Sequence, residues 1–315
     1  MNDLPKECCP VCAEKKSTQL FYRCIDGIDY FECSSCGSIL ADQGNKENSF
    51  SYDDEYWKNE AVAAKERSFG SSVNRCAEVF FYSRIPINKF LDIGSGPGYL
   101  LDALSTLMPN FASMFYGVEL FPPPEKYQSQ HKNYMIGSLA DQQQKFDGGV
   151  CIEVIEHLTP RQLDILVKSL AEVSEQGAVY YFNSGQPEYV KKEDPGYLDP
   201  KGRGHIASYS VQGLKMIFSK YGFSIIPLPG RSWGFLAEFV ALKKIPDADE
   251  LLGRLWNPHP ENASKLKSNG FGELMYAIGL ESARCYLESA IATERTIWAL
   301  SLQSEKKKKF WHPSA

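Results

Sequence analysis

Short apolar segments alternate with amphipathic segments through the middle of the chain. The apolar segments predict strands at residues 90–93, 114–120, 134–138, 146–154, 177–184, 223–229 and 235–244. Helical spacing of apolar residues predicts helices at residues 61–82, 99–107, 210–221 and 272–303. Another helix begins after Thr159, because Pro160 takes the first helical position and Gln162 the capping-box position. Strands and helices that alternate in this way indicate an α/β domain.

The first of these strands leads into a glycine turn. Gly94, Gly96 and Gly98 let the backbone approach a ligand where side chains would collide, and the following helix points its N-terminus at that ligand. The dinucleotide fingerprint G-x-G-x-x-G has glycine where this chain has Tyr99, which weakens a dehydrogenase interpretation. Asp92, two residues before the first glycine, would repel a pyrophosphate and attract a cation.

The segment at residues 92–98, D-I-G-S-G-P-G, resembles the first motif of class I S-adenosylmethionine (SAM) dependent methyltransferases. The resemblance extends over residues 90–244 and implies a Rossmann-like, seven-stranded α/β sheet with helices on both faces. In this family the last two strands of the sheet are antiparallel. The resemblance therefore also implies SAM as the cofactor.

The same resemblance implies which residues contact SAM. The glycine turn packs against the methionine part of the cofactor, and Asp92 contacts its amino group. Glu119, at the end of the second strand, bonds both ribose hydroxyls, since a carboxylate offers two acceptors to a vicinal diol. Ser138 and Leu139 follow the third strand, where such enzymes contact the adenine.

A second candidate site follows the fourth strand of this domain. Glu153, Glu156 and His157 form an E-x-x-E-H segment at the carboxyl end of a strand, where open α/β sheets bind ligands. The segment resembles the divalent-cation site of ubiquinone-biosynthesis and small-RNA 2′-O-methyltransferases. The RNA enzymes add a later histidine, for which His205 is the candidate. Such a ligand set suits Mg²⁺ or Mn²⁺, which can bind a vicinal diol and lower the pKa of the hydroxyl to be methylated.

Two interpretations of this segment without a metal remain open. His157 can act alone as a general base for methylation of a sugar carbon, oxygen or amine. Alternatively, Glu153 only positions backbone near SAM, Glu156 lies at a favourable helix start, and His157 lines the wall. His157 and Glu156 are the predicted catalytic residues.

Four of the nine cysteines form two Cys-x2-Cys pairs, which are Cys9 with Cys12 and Cys33 with Cys36. Their spacing is that of a zinc ribbon, in which four thiolates form a tetrahedral site for Zn²⁺. Cys8 is an alternative to Cys9, although the C-P-V-C knuckle favours Cys9. A module of this size is too small to bury a core, so the zinc is predicted to be structural.

Composition limits the choice of partners. The formal net charge of −5 gives no general attraction toward nucleic acid and argues against RNA as the substrate. No apolar run reaches the roughly 20 residues that a bilayer span needs, so no membrane partner is predicted. The N-terminus lacks the apolar core of a signal peptide, and we predict a cytoplasmic protein.

The chain is predicted to have four parts. They are a zinc ribbon at residues 1–40, a linker and leading helix at 41–85, the methyltransferase domain at 86–245, and a helical extension at 246–315. Pro258 and Pro260 mark a break before the last helix, which is a candidate homodimer interface, a cover for the active site, or ordinary packing.

A small hydroxylated acceptor, such as a sugar or nucleotide-sugar, is the predicted substrate. The cysteine-rich N-terminus supports this prediction, because it resembles the zinc-binding segment of some sugar methyltransferases. An RNA methyltransferase and a non-catalytic SAM-binding scaffold are the alternatives.

Overall fold

The computed structural model describes residues 8–15, 19–42, 54–268 and 270–311. In chain order its strands are β1 (Gln19–Ile25), β2 (Ile28–Cys33), β3 (Ile39–Ala41), β4 (Phe90–Ile93), β5 (Phe115–Glu119), β6 (Tyr134–Ile136), β7 (Phe146–Ile152), β8 (Ser174–Asn183), β9 (Ala207–Ser208), β10 (Ser224–Pro227) and β11 (Gly234–Glu238). Its α-helices are α1 (Asp54–Phe69), α2 (Ser71–Tyr82), α3 (Tyr99–Leu107), α4 (Pro160–Glu172), α5 (Pro187–Lys192), α6 (Val211–Phe218), α7 (Ala248–Trp256), α8 (Pro260–Leu266) and α9 (Gly270–Trp311).

The larger of two sheets has seven strands in the order β10-β11-β8-β7-β4-β5-β6. Strands β4 to β8 pair in parallel, whereas β11 is antiparallel to both β8 and β10. This is the seven-stranded α/β sheet with an antiparallel last pair that the sequence resemblance implied, so the predicted fold class is confirmed. The carboxyl ends of β4, β5 and β7 meet at one edge and carry the candidate site residues.

Two apolar cores cover the two faces of this sheet. Alternate residues of β8 point to opposite faces, as the pleat of a strand requires. Val179 and Tyr181 enter the core that α2, α7 and α9 cover, and Tyr180 and Phe182 enter the core that α4 and α6 cover. Helices therefore lie on both faces of the sheet, as predicted.

Helix boundaries differ from the sequence prediction at two places. The predicted helix at residues 61–82 is two helices, α1 and α2, that meet at Gly70. The predicted break at Pro258 and Pro260 is shorter than expected, because Pro260 is the first residue of α8. Upstream of it, Asp247 and Glu250 form a capping box that begins α7.

The smaller sheet joins the cysteine-rich N-terminus to the main domain. Strands β1, β2 and β3 form an antiparallel meander, and β9 from the main domain adds the fourth strand. In this pairing Ile39 lies opposite Ser208 and Leu40 opposite Ala207. We call residues 8–15 and 19–41 the ribbon. The ribbon is thus hydrogen-bonded to the segment that carries His205.

The long helix α9 is packed along its first half. Ala283, Leu287 and Ile291 are buried against the core that contains α2 and α7. Beyond them, Ile297 and Trp298 are more than half exposed, at 62% and 64%. The homodimer interface stays a prediction, and this exposed stretch is its candidate surface. Among the described residues, no helix combines the length and apolarity of a transmembrane span.

Candidate active site

The glycine turn after β4 adopts backbone conformations that favour glycine. The φ angles of Gly94, Gly96 and Gly98 are 67°, 51° and 79°. A Cβ atom on Gly94 would lie 2.6 Å from a methyl carbon of Val154, and one on Gly98 would lie 2.8 Å from the ring of Tyr134. The close packing therefore requires glycine at the first and third positions, independently of any ligand.

Two buried carboxyl groups lie beside this turn. Glu119, at the end of β5, accepts hydrogen bonds from the N–H groups of Gly96 and Phe121, both at 2.7 Å. Asp92 is 4% exposed, and the described residues donate no hydrogen bond to it. Burial, together with the charge of Glu119, raises the pKa of Asp92 to about 8. A cationic group would stabilise this pair, so the site fits the ammonium group of SAM.

Two aromatic residues close around the turn, and the sequence analysis assigned no specific role to either. The hydroxyl of Tyr134 donates to the carbonyl oxygen of Gly96 at 2.7 Å. Trp57, on α1, is 7% exposed, and its ring lies 3.8 Å from where a Gly96 Cβ would be. Trp57 follows another aromatic residue, Tyr56, in the sequence, whereas nothing local singles out Tyr134.

The two residues predicted to contact adenine also have structural roles in the fold. The Ser138 hydroxyl caps a short 3-10 turn by accepting the N–H of Ala140 at 3.2 Å. The backbone N–H of Ser138 donates to the carboxylate of Asp141 at 2.9 Å. Leu139 is 5% exposed and belongs to the core that α4 and α6 cover. Their contact with adenine stays a prediction.

Glu156, His157 and His205 converge at the second site. One possible ligand atom from each lies within 4.8 Å of the others. His157 Nδ1 donates to the carbonyl of Gly204 at 3.1 Å, and His205 Nδ1 donates to the carbonyl of Tyr197 at 2.7 Å. Each imidazole thereby keeps its lone pair on Nε2, which is how metal-bound histidines are commonly fixed.

The carboxylate of Glu156 is fully buried and only half satisfied. Its Oε1 accepts the Tyr197 hydroxyl at 2.9 Å and lies 4.0 Å from His205 Nε2. Its Oε2 is buried without a hydrogen-bond partner among the described residues. A buried oxygen of this kind is costly unless it binds a proton or a cation. The donor set therefore fits a divalent ion.

Burial makes this cluster neutral in the absence of an ion. The pKa of Glu156 is well above its ordinary value, first because of burial and then because of the Glu153 carboxylate. Burial lowers the pKa of His157 to about 4. Burial and the neighbouring His157 lower the pKa of His205 to about 3. Both imidazoles are therefore unprotonated at neutral pH and can offer lone pairs.

Glu153, the fourth predicted ligand, is not one of the three residues with mutually close ligand atoms, although its carboxylate interacts directly with that of Glu156. Its side chain is exposed, and its carboxylate accepts a hydrogen bond from the amide of Asn183. Its backbone has a φ of 55°, an uncommon value for a residue with a side chain. The structure brings together Glu156, His157 and His205 but leaves Glu153 facing the cavity beside them.

This cavity has a volume of about 270 Å³. Its walls carry aromatic rings and charged groups from Arg75, Glu153, Tyr189, Tyr197, Arg203 and Trp233. The guanidinium of Arg75 lies 4.8 Å from the centre of the Trp233 ring and donates to Asn183. The cavity shares Tyr197 with the histidine cluster, so a ligand held there would lie beside it.

The sequence matches the protein family described as "Methyltransferase domain" over residues 56–228, which is more than half of the chain. The chain belongs to this methyltransferase family. With the sheet topology, the match identifies a class I SAM-dependent methyltransferase. No curated protein sequence matches the methyltransferase significantly.

Several solved structures are similar to the methyltransferase. CalS10, an amino pentose methyltransferase from Micromonospora echinaspora, is 16% identical, with 60% of this chain and 98% of that chain covered and a TM-score of 0.46. DesVI from Streptomyces venezuelae is 17% identical. The match covers 61% of this chain and 100% of DesVI, with a TM-score of 0.42. A putative O-methyltransferase from Nostoc punctiforme is 16% identical. The match covers 62% of this chain and 64% of that protein, with a TM-score of 0.47.

The ribbon of the methyltransferase brings four cysteines together. The sulfur atoms of Cys9, Cys12, Cys33 and Cys36 all lie within 4.8 Å of one another. Cys8 is not part of this cluster among the described residues.

Each Cys-x2-Cys pair is closed by the residue that follows it. Ala13, with φ 62°, donates its N–H to the Cys9 carbonyl at 2.8 Å. Gly37, with φ 76°, donates its N–H to the Cys33 carbonyl at 2.7 Å. Two matching turns with converging sulfurs fit a tetrahedral ion.

Proposed function

We propose that the methyltransferase transfers the methyl group of SAM to a small hydroxylated acceptor, a sugar or a nucleotide-sugar. The observation that carries this proposal is the cluster of Glu156, His157 and His205 beside the cavity. The cluster follows β7 at the carboxyl edge of the sheet, where open α/β sheets bind their ligands. The glycine turn after β4 lies at the same edge.

The chemistry of the cavity supports a small polar acceptor. A volume of about 270 Å³ is at the low end for ligand pockets and suits a single sugar ring better than a structured nucleic acid. Tyr189 and Trp233 contribute aromatic rings to the cavity wall, and Arg75 and Arg203 offer donors to hydroxyl or phosphate oxygens.

We further propose that Glu156, His157 and His205 hold a divalent cation such as Mg²⁺ or Mn²⁺. Such an ion supplies positive charge that lowers the pKa of an acceptor hydroxyl. The residues of the chain fix the ligands: Tyr197 bonds both Glu156 and His205, and the Gly204 carbonyl fixes His157. Glu153 is not required in this set.

The alternative in which His157 alone is a general base receives less support. A base works best when its pKa lies near the working pH. Burial lowers the pKa of His157 to about 4, so this imidazole is a weak proton acceptor. The orphaned Oε2 of Glu156 also has no role in that alternative.

SAM and zinc complete the proposed cofactors. Asp92 and Glu119 would hold the cofactor above the glycine turn, and the cofactor supplies the methyl group. Zn²⁺ at Cys9, Cys12, Cys33 and Cys36 would be structural, because four thiolates leave no position open for substrate or water.

A screen of acceptors with labelled SAM tests this function. Nucleotide-sugars, free sugars, catechols and structured RNA are incubated with full-length protein, and labelled products are detected by mass spectrometry. We expect label on a sugar or nucleotide-sugar. Labelling of RNA alone would contradict the proposal, and binding of SAM without labelling of any acceptor would favour the scaffold alternative.

Mild chelation then tests the divalent ion. We expect activity to fall while zinc stays bound, and to return with Mg²⁺ or Mn²⁺. If chelation leaves activity unchanged while His157→Ala abolishes activity, His157 acts as a base without an ion.

A further inference from the structure

The ribbon makes direct hydrogen bonds to the segment that carries His205. The hydroxyl of Tyr30, on β2, donates to the backbone carbonyl of His205 at 2.7 Å. Tyr30 is fully buried, so this bond is shielded from water. The bond joins residues that are far apart in sequence and belong to different parts of the fold.

The next residue, Ile206, is held from both sides. Its carbonyl accepts the N–H of Ala41, at the end of β3, at 2.8 Å. Its N–H donates to the carbonyl of Glu156 at 2.9 Å. A continuous line of backbone hydrogen bonds therefore runs from the ribbon through Ile206 to the turn that carries Glu156 and His157.

An apolar cluster reinforces this connection. Tyr30 and Ile39 of the ribbon are fully buried against Val190, Tyr197 and Leu198. Tyr197 is the residue that bonds Glu156 through its hydroxyl and His205 through its carbonyl. The ribbon thus packs on the residue that orients two members of the cluster.

A further contact connects the cysteine turn itself to the main domain. Ser210 caps α6 by accepting the N–H of Gly213 at 2.9 Å, and its hydroxyl donates to the carbonyl of Cys36. The Ser210 N–H also donates to the Ser38 hydroxyl at 3.1 Å. The cysteine turn and the segment at 205–210 are therefore directly connected by hydrogen bonds.

We propose that the ribbon is the rear wall of the acceptor site and that Tyr30 is a positioning residue for His205. This inference rests on the proposed function, because it assigns a role to the wall of that site. Tyr30 is not among the residues that line the cavity; it fixes the backbone from which the imidazole projects. The folding of the ribbon around its metal then determines the geometry of methyl transfer.

The variant Tyr30→Phe tests this role, because it keeps the buried ring and removes only the donor to His205. Tyr22→Phe is the matched control, since Tyr22 lies on the neighbouring strand β1 and its hydroxyl bonds none of the described residues of the site. Imidazole NMR signals of the full-length protein give a readout that needs neither acceptor nor activity. We expect the His205 signals to shift in Tyr30→Phe while those of His131 and His259 stay in place.

Kinetics supply the second readout. Loss of a residue that orients a ligand commonly costs about 10- to 100-fold in activity or metal affinity. We expect kcat to fall by roughly that factor in Tyr30→Phe, with SAM affinity and zinc content unchanged. Tyr22→Phe should match the wild type. A Tyr30→Phe protein with unshifted His205 signals would overturn the inference, whatever its kcat.

Hydrogen exchange on the wild type keeps the inference testable if Tyr30→Phe does not fold. Removal of zinc should expose the amides of residues 197–208 to exchange while those of residues 94–98 stay protected. Unchanged protection at residues 197–208 would overturn the inference. Failure of every acceptor to be methylated would instead count against the proposed function, since the NMR and exchange results do not depend on turnover.

Discussion

Buried ionisable side chains lie at both candidate sites of the methyltransferase, and burial is the main influence on their pKa values. At the glycine turn it raises the pKa of Asp92 to about 8. At the second site it raises the pKa of Glu156 and lowers that of His157 to about 4. Both sites therefore hold neutral groups whose protonation can change when a charged ligand binds.

We expect SAM binding to release a proton from Asp92. With a pKa of about 8, this carboxyl is mostly protonated at pH 7, and a bound ammonium group lowers its pKa. Binding should therefore tighten as pH rises toward 8 and level off above it. Calorimetry at pH 7 in buffers of different ionisation enthalpy measures the release.

Two variants test whether the released proton comes from Asp92 rather than from another group. Asp92→Asn should bind SAM more weakly and release about one proton fewer than the wild type. Asp249→Asn, on the exposed surface of α7, should behave as the wild type does. Equal proton release by the wild type and Asp92→Asn would contradict the assignment.

Spacing along the chain located Glu156 and His157, because both follow one strand in a recognisable segment. It also pointed to His205 through a family resemblance. It could not identify Tyr197 or Tyr30, because their partners lie 41 and 175 residues away and meet them only after folding. Hydrogen bonds of this kind leave no periodic or local signal in a sequence.

At the scale of elements, a buried ion pair joins four parts of the main domain. Arg231, between β10 and β11, donates to Glu78 on α2 at 2.7 Å and to the Tyr181 hydroxyl on β8 at 2.9 Å. Its guanidinium also lies 4.3 Å from the centre of the Tyr286 ring on α9. The side chains of Arg231 and Glu78 are 2% and 1% exposed, so each charge is stabilised by the other and not by water.

Arg231→Met should therefore destabilise the protein strongly. It leaves the Glu78 carboxylate buried without its partner, which typically costs about 3–5 kcal/mol of the free energy of unfolding. Burial already raises the pKa of Glu78, and loss of Arg231 raises it further. The destabilisation should therefore shrink as pH falls and Glu78 becomes protonated.

Denaturant unfolding across pH measures this effect. Arg284→Met, which breaks an exposed pair with Glu281 on α9, is the control and should leave stability nearly unchanged. A pH-independent loss in Arg231→Met would mean that packing, rather than the stranded charge, is responsible.

Two glycines in helices should respond to alanine in opposite directions. Nothing lies within 4 Å of a Cβ on Gly253 in α7, so Gly253→Ala should stabilise the protein by about 0.5–1 kcal/mol. A Cβ on Gly279 in α9 would collide with the Cβ of Ala77 on α2. Gly279→Ala should therefore destabilise it, by about 1–3 kcal/mol.

Thermal unfolding of both variants checks this comparison. Stabilisation of similar size in the two variants would show that α9 does not pack on α2 as closely as the structure indicates.

The sequence predicted every strand of the larger sheet, because each contains a short apolar run with turn residues beside it. It did not predict β9, since two residues carry no strand pattern of their own and pair only with β3. It also placed one helix where α1 and α2 meet at Gly70, because apolar spacing continues through the junction. Local patterns therefore located the strands of the larger sheet, whereas pairing between distant segments remained hidden.

For the whole molecule, the ribbon and the main domain share one apolar core. Cys9, Val11 and Cys36 belong to the same buried cluster as Leu214 and Phe218 of α6. The ribbon is therefore an integral part of the fold, and its metal should affect more than its own stability.

We expect purified protein to contain about one equivalent of zinc, as a site of four thiolates requires. Cys33→Ser should lose the zinc and lower the melting temperature, because the shared core loses one of its walls. SAM affinity should stay close to that of the wild type, since the described ribbon makes no hydrogen bond to the glycine turn or to Glu119. Methyl transfer should fall, because the segment at His205 is no longer held by β3.

Cys24→Ser is the matched control, because Cys24 lies on β1 of the same ribbon and its side chain is exposed. Elemental analysis, calorimetry with SAM and a melting curve are measured for all three proteins. Cys24→Ser should match the wild type in each measurement. Zinc retained by Cys33→Ser would show that another residue completes the site, and loss of SAM binding together with zinc would show that the ribbon supports the glycine turn as well.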